Sequence, residues 1–219
     1  MTFRFEDAIE MVNYPVEIRP FFFEDNNQMV PAAGNTATGR DREFYAVVVD
    51  VNREDNFVPI ACVSQQYGSL DTADVYRDFE EQLNSYEEDY KLIDCWVSAN
   101  GGKQQLVIEF TGKDSLTDLP DKLTMRVVLR TSIDGSNAHT INMVAYNEKG
   151  DFTIDLFGAA QKLKARHTTT IGERTINFIP SISKMSSEWN TNIVPMMKLL
   201  FDNKYDATFA MDVLEEVSE

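Results

Sequence analysis

The chain has 219 residues, 36 acids against 20 bases, a formal net charge of −16 and 43% hydrophobic residues. That is enough apolar material for one large buried core, so the fold needs no metal or disulfide to hold it. The charge excludes a protein that coats nucleic acid by bulk electrostatics, because phosphate is itself anionic, and no apolar run reaches the length of a membrane span.

Residues 1–43 read as an irregular N-terminal arm. Met1-Thr2-Phe3-Arg4-Phe5-Glu6-Asp7 holds early acids and no apolar signal core, which points to the cytoplasm. Phe21-Phe22-Phe23 is a sticky apolar tuft, and Pro31–Gly39 is a loop by composition. An arm of that length is expected to pack partly on a neighbouring subunit, which implies a homo-oligomer.

A core domain is expected over 44–180. Tyr45–Val51 and Val58–Val63 are apolar and rich in β-branched residues, the pattern of buried strands. A helix should open at Asp71 or Thr72, whose side chains can cap its free amides. Val75, Phe79, Leu83 and Tyr86 recur at helical spacing and should face a sheet. The other face is acidic, with Asp78, Glu80, Glu81, Glu87, Glu88 and Asp89, as on a solvated helix.

Leu92–Ala99 and Gln104–Thr111 should pair as a hairpin across Asn100-Gly101-Gly102-Lys103, where glycine supplies the positive φ of a tight turn. Leu106, Ile108 and Phe110 alternate with Gln105, Val107 and Glu109, the period of a strand with one core face. Leu123–Thr131 and Ala138–Tyr146 form a second hairpin across Asp134-Gly135-Ser136-Asn137, and Phe152–Phe157 reads as a further strand. Gly158–Thr170 mixes helix and strand formers. A C-terminal helical segment is expected over 181–219, with Ile182–Phe201 ended or kinked by Pro195 and a short helix or frayed tail after it. The sum is an α+β fold: an antiparallel meander sheet, a packed amphipathic helix and C-terminal helices.

The chemistry is mostly exclusions. Cys62 and Cys95 lie in apolar stretches and read as two buried free thiols on adjacent strands. They and the histidines His139 and His167 lack the spacing of a metal site, so no metal or cofactor is expected. The glycines before Lys103 join two strands and open no helix, which argues against a nucleotide loop. Ser136, His139 and Asp134 cluster only because they share a turn, and Asp114, Asp118 and Asp121 read as a solvated loop; no catalytic residue is assigned.

A binding face remains. Lys162, Lys164, Arg166, His167 and Arg174 crowd one short segment. Arg126 and Arg130 stand four apart on one strand and so share a face, and Lys103 occupies a hairpin tip. With Tyr146, Phe152 and Phe157 between them, these cations could take phosphates and stacked bases. Neutralising the acidic helix within the fold is the competing role.

Val63-Ser64-Gln65-Gln66-Tyr67 before a helix near Asp74-Val75, Gly101-Gly102-Lys103 before a strand, Thr131-Ser132-Ile133-Asp134-Gly135-Ser136 before another, and Arg166-His167-Thr168 form an ordered series over roughly 44–170. In order and spacing the series resembles phage- and plasmid-encoded proteins of a domain of unknown function (number nine-three-two). That family usually shows an Arg and a Cys before an Asn after the Asp-Gly-Ser turn, whereas Ile141–Asn147 keeps only the Asn. The resemblance implies a mobile-element or viral setting, with the host cytoplasm as its compartment. The strand-rich body is similar to phage single-strand annealing proteins of the Erf and Sak kind, an analogy of fold. The expected function is a non-enzymatic single-stranded DNA-binding or annealing protein in recombination or replication. The alternative is a virion or accessory interaction protein with a host or phage protein partner, or an acidic inhibitor that mimics DNA.

Overall fold

The structure is a computed structural model that describes residues 3–25, 28–31, 33–35, 41–68, 71–86, 89–111, 123–154, 163–165 and 177–202. Helix α1 (Phe5–Val12) leads into strands β1 (Val16–Pro20), β2 (Phe22–Asp25), β3 (Gln28–Pro31) and β4 (Ala33–Asn35). Strands β5 (Asp41–Val49) and β6 (Val58–Ser64) precede helix α2 (Thr72–Asn84). Then come β7 (Tyr90–Val97), β8 (Lys103–Phe110), β9 (Leu123–Ser132), β10 (His139–Asn147), β11 (Phe152–Ile154) and β12 (Leu163–Ala165). Helices α3 (Ile179–Glu188) and α4 (Val194–Asp202) close the described chain.

The main sheet is an antiparallel meander in the order β11-β10-β9-β8-β7, with β12 also paired to β10. A smaller antiparallel sheet holds β1, β5, β4 and β6, and β2 pairs with β3. The α+β architecture expected from the sequence, with an amphipathic helix and C-terminal helices, is the one observed.

One face of the main sheet carries the core. Leu106, Ile108, Val127, Leu129, Ile141 and Met143 project from it and pack against Phe5, Ala8 and Val12 of α1, Val75, Phe79 and Leu83 of α2, and Ile182 and Met185 of α3. Alternation on the strands and three-to-four spacing on the helices bring these positions to one interface. The ring of Phe79 meets that of Phe178 edge-on at 5.0 Å, and the backbone N–H of Phe178 donates to Gln82 Oε1 at 2.6 Å. These contacts tie the C-terminal helices to α2. Asp71 caps α2: Oδ1 accepts from the N–H groups of Ala73 at 2.8 Å and Asp74 at 3.3 Å.

Three expectations need correction. Residues 1–43 are not an irregular arm: their described part forms α1 and β1–β4, with Phe5, Ala8 and Val12 inside the chain's own core. The acidic residues Glu6 and Asp7 obscured this short helix in the sequence. Cys95 is buried but Cys62 is exposed, and they lie in different sheets. Helix α2 stops at Asn84, so Tyr86 lies beyond it, half-buried, with its ring 6.0 Å from Phe110.

Pro195 does interrupt the C-terminal helix, through a π-helical turn over Trp189–Ile193 just before α4. Proline has no N–H to offer the carbonyl four residues back, and the wider turn absorbs the break. The expected C-terminal helix or tail at 205–217 lies outside the described residues, as do Asp114, Asp118 and Asp121. Among the described residues no helix is long and apolar enough to cross a membrane, and no group of three or more His, Cys, Asp or Glu could hold a metal ion.

Candidate nucleic-acid interface

The second face of the main sheet packs on none of α1, α2 and α3, yet its middle is buried: Val107, Val128 and Val144 form an apolar cluster with Ile93 against it, and cross-strand register orders the face's side chains into rows. Trp96 of β7 stands opposite Gln105 of β8, Gln105 opposite Arg130 of β9, and Arg130 opposite Thr140 of β10. The next row inward contains the exposed Asp94 with Val107, Val128 and Asn142, and the one after it Lys91, Glu109, Arg126 and Val144. Neighbouring strands lie about 4.8 Å apart, so the row from Trp96 to Thr140 spans roughly 14 Å.

The two ends of this face differ in charge. At the inner end Glu109 is buried and accepts from Lys91 Nζ at 2.6 Å, Arg126 Nε at 2.8 Å and the Thr124 hydroxyl at 3.1 Å. The Arg126 guanidinium also lies 3.3 Å from the centre of the Tyr146 ring. The Tyr146 hydroxyl donates to Asp151 at 2.9 Å, a bond that pushes its pKa above the usual tyrosine range. Burial pushes the Glu109 carboxyl up, but the hydrogen bonds from Lys91 and Arg126 outweigh it, so its pKa falls below the ordinary glutamate range. Arg126 and Tyr146 are therefore engaged within the fold.

The outer end is open. Trp96, Lys103, Gln105, Arg130, Thr140 and Asn142 line a pocket of about 460 Å³ together with Gln104, Thr131, Asn137 and Ala138. None of these lining residues is acidic. Among the described residues no carboxylate pairs with Lys103 or Arg130, whose one hydrogen bond runs from Nε to Gln105 Oε1 at 2.9 Å. Trp96 is 49% exposed, whereas Trp189 is fully buried.

The pocket rests on a rigid floor. The Tyr14 hydroxyl donates to the Gly101 carbonyl at 2.6 Å and accepts from Gln104 Nε2 at 2.7 Å, and Gln104 Oε1 accepts from the Thr131 hydroxyl at 2.9 Å. Burial pushes the Tyr14 hydroxyl up to about 12, so it stays a neutral donor at neutral pH. Gly101 has φ +72°, and a Cβ there would sit 2.8 Å from Val51 Cγ2, so only glycine fits. The Ser98 hydroxyl accepts from the N–H of Lys103 at 2.9 Å, which fixes where that lysine leaves the turn.

Of the residues singled out in the sequence, Lys103 and Arg130 share this pocket, and Arg126 lies on the same face but in the ion-paired end. Lys164 belongs to β12, where its backbone stands opposite Thr140. Lys162, Arg166, His167 and Arg174 lie outside the described residues, as does Phe157. Trp96, Gln105 and Asn142 were missed. Cys95 faces the core, as Leu92 does, although strict alternation puts them on opposite faces. The register shift between Leu92 and Asp94 resolves this, and no feature of Ile93-Asp94-Cys95-Trp96 announces it.

No family model, no curated protein and no solved structure matches the chain, so the resemblance drawn from its sequence gains no support there.

Proposed function

We propose that the chain binds single-stranded DNA at the outer end of the second face of its main sheet, as a non-enzymatic protein of strand annealing in a phage or plasmid setting. One observation carries the reading: an exposed Trp96 and the cations Lys103 and Arg130, which pair with no carboxylate among the described residues, converge on one pocket with no acid in its lining. An aromatic ring accepts any base by stacking, and cations beside it take the flanking phosphates. Annealing asks for no more chemistry than holding bases exposed while charge is neutralised. The DNA-mimic alternative has less behind it, because Asp71 of the acidic stretch caps α2 and Asp74 pairs with Arg77.

Anisotropy of a labelled single strand, titrated with the full chain, tests the proposal. Two phosphate contacts give a slope of log affinity against log salt of about −1.4, a loss of about sevenfold over a fourfold rise in salt. Stacking should also quench the emission of Trp96 and spare that of buried Trp189. Absence of binding at both low and moderate salt would sink the proposal.

A further inference from the structure

Two arginines of β9 meet partners of the same shape across β8. Gln105 stands opposite Arg130, and Glu109 stands opposite Arg126. Arg130 Nε donates to Gln105 Oε1 at 2.9 Å, and Arg126 Nε donates to Glu109 Oε2 at 2.8 Å. The carboxylate neutralises its arginine, and the amide does not. Nε–H can only donate, so the Gln105 atom it meets is the amide oxygen. Among the described residues Nη1 and Nη2 of Arg130 meet no acceptor. Both side chains line the pocket, Gln105 half-buried and Arg130 exposed.

We infer that Gln105 is a positioning residue, which holds Arg130 by Nε so that its two terminal nitrogens form a fork for one phosphate. This rests on the single-strand reading above and names how the site takes the strand's backbone. An exposed arginine otherwise samples many rotamers, and binding must then order it. Gln105 orders it beforehand and leaves its charge intact. With Nε engaged, Nη1 and Nη2 remain for bidentate contact with two phosphate oxygens. The row Trp96, Gln105, Arg130 sets that fork two strands from the stacking ring, roughly 10 Å along the sheet. A carboxylate at position 105 would hold the arginine equally well and cancel it, as Glu109 does for Arg126.

The test is anisotropy of a labelled oligothymidylate against the full chain carrying Gln105→Glu, Gln105→Leu, Arg130→Gln, or the last two together. Gln105→Glu should halve the salt slope from about −1.4 to about −0.7. Its thermal midpoint should not fall, because an exposed arginine gains a carboxylate. Gln105→Leu keeps the arginine's charge, so its slope should stay near about −1.4 while affinity falls about two- to tenfold, the cost of ordering one long side chain on binding. In the Arg130→Gln background the same leucine should cost nothing, because Gln105 acts only through that arginine. A merely structural role would weaken binding in both backgrounds alike. A wild-type slope in Gln105→Glu, or an effect of Gln105→Leu that is the same in both backgrounds, overturns the inference and leaves the single-strand reading intact. Failure of wild type to bind the strand overturns both.

Discussion

Replacing Glu109 by glutamine tests the division of the second sheet face into an ion-paired end and a free end. The Glu109 side chain is 7% exposed and lies between Lys91 and Arg126, whose side chains are 50% and 16% exposed. Glutamine keeps the shape and one acceptor but loses the charge. Lys91 can return to water, whereas Arg126 stays against Tyr146 as a cation without its partner. Breaking a buried pair costs about 3–5 kcal/mol, and the surviving acceptor and the rehydrated lysine lower this to about 2–3 kcal/mol. In a domain of this size the thermal midpoint should drop by roughly 4–12 °C. Urea unfolding at neutral pH reads the same loss. The gap should then close in acid. A carboxyl held below its unfolded pKa adds stability above about pH 4.3, and that stability is lost as pH falls through the folded value. The variant has no such carboxyl, so the two proteins converge there. Binding should not respond: Arg126 stays against Tyr146, so the salt slope should remain near about −1.4. A variant within about 0.5 kcal/mol of wild type at neutral pH, or a gap unchanged in acid, would refute this account.

Arg130→Gln should halve the salt slope to about −0.7 while leaving the thermal midpoint unchanged, as anisotropy and a melt together would show. Tyr14→Phe removes one bond from the Gly101 carbonyl and one from the Gln104 amide, which still bond each other, and should cost about 0.5–1.5 kcal/mol in urea unfolding. Because burial raises the folded pKa of Tyr14 to about 12, wild type should lose stability as pH rises above about 10, and the phenylalanine variant should lose less. Asp71→Ala removes the cap of α2 and should cost about 1 kcal/mol by the same measurement.

Strong alternation and strong punctuation made much of the fold legible. Leu106, Ile108 and Phe110 alternate with polar neighbours, and Asp71 sits where a helix must begin. The N-terminal region was not legible, because α1 is short and its apolar positions Phe5, Ala8 and Val12 are diluted by acids. The site was half legible. Lys103 and Arg130 stood out as cations on a tip and a strand, but sequence spacing gave Arg126 the same weight as Arg130. Only cross-strand register separates them, since Arg126 pairs across to Glu109 and Arg130 to Gln105. Trp96 was hidden by the irregularity between Leu92 and Asp94, and Asn142 by the ordinariness of an asparagine in a strand.

The net charge of −16 constrains how such a face can work. At physiological ionic strength fields between exposed charges fade over about 8 Å, so distant acids slow the approach of DNA more than they weaken a strand already seated. The pocket's lining holds Lys103 and Arg130 and no acid, with Asp94 one row away on the same face. Two phosphate contacts alone leave affinity weak at physiological salt. Stacking adds about 1–3 kcal/mol per base and is insensitive to salt. On the proposed single-strand reading Trp96 would therefore supply most of the hold, and binding would depend more on whether bases are free to stack than on how much charge the backbone carries. That is the discrimination a strand-annealing protein needs, because single strands and duplexes are both polyanions and differ chiefly in whether their bases are free.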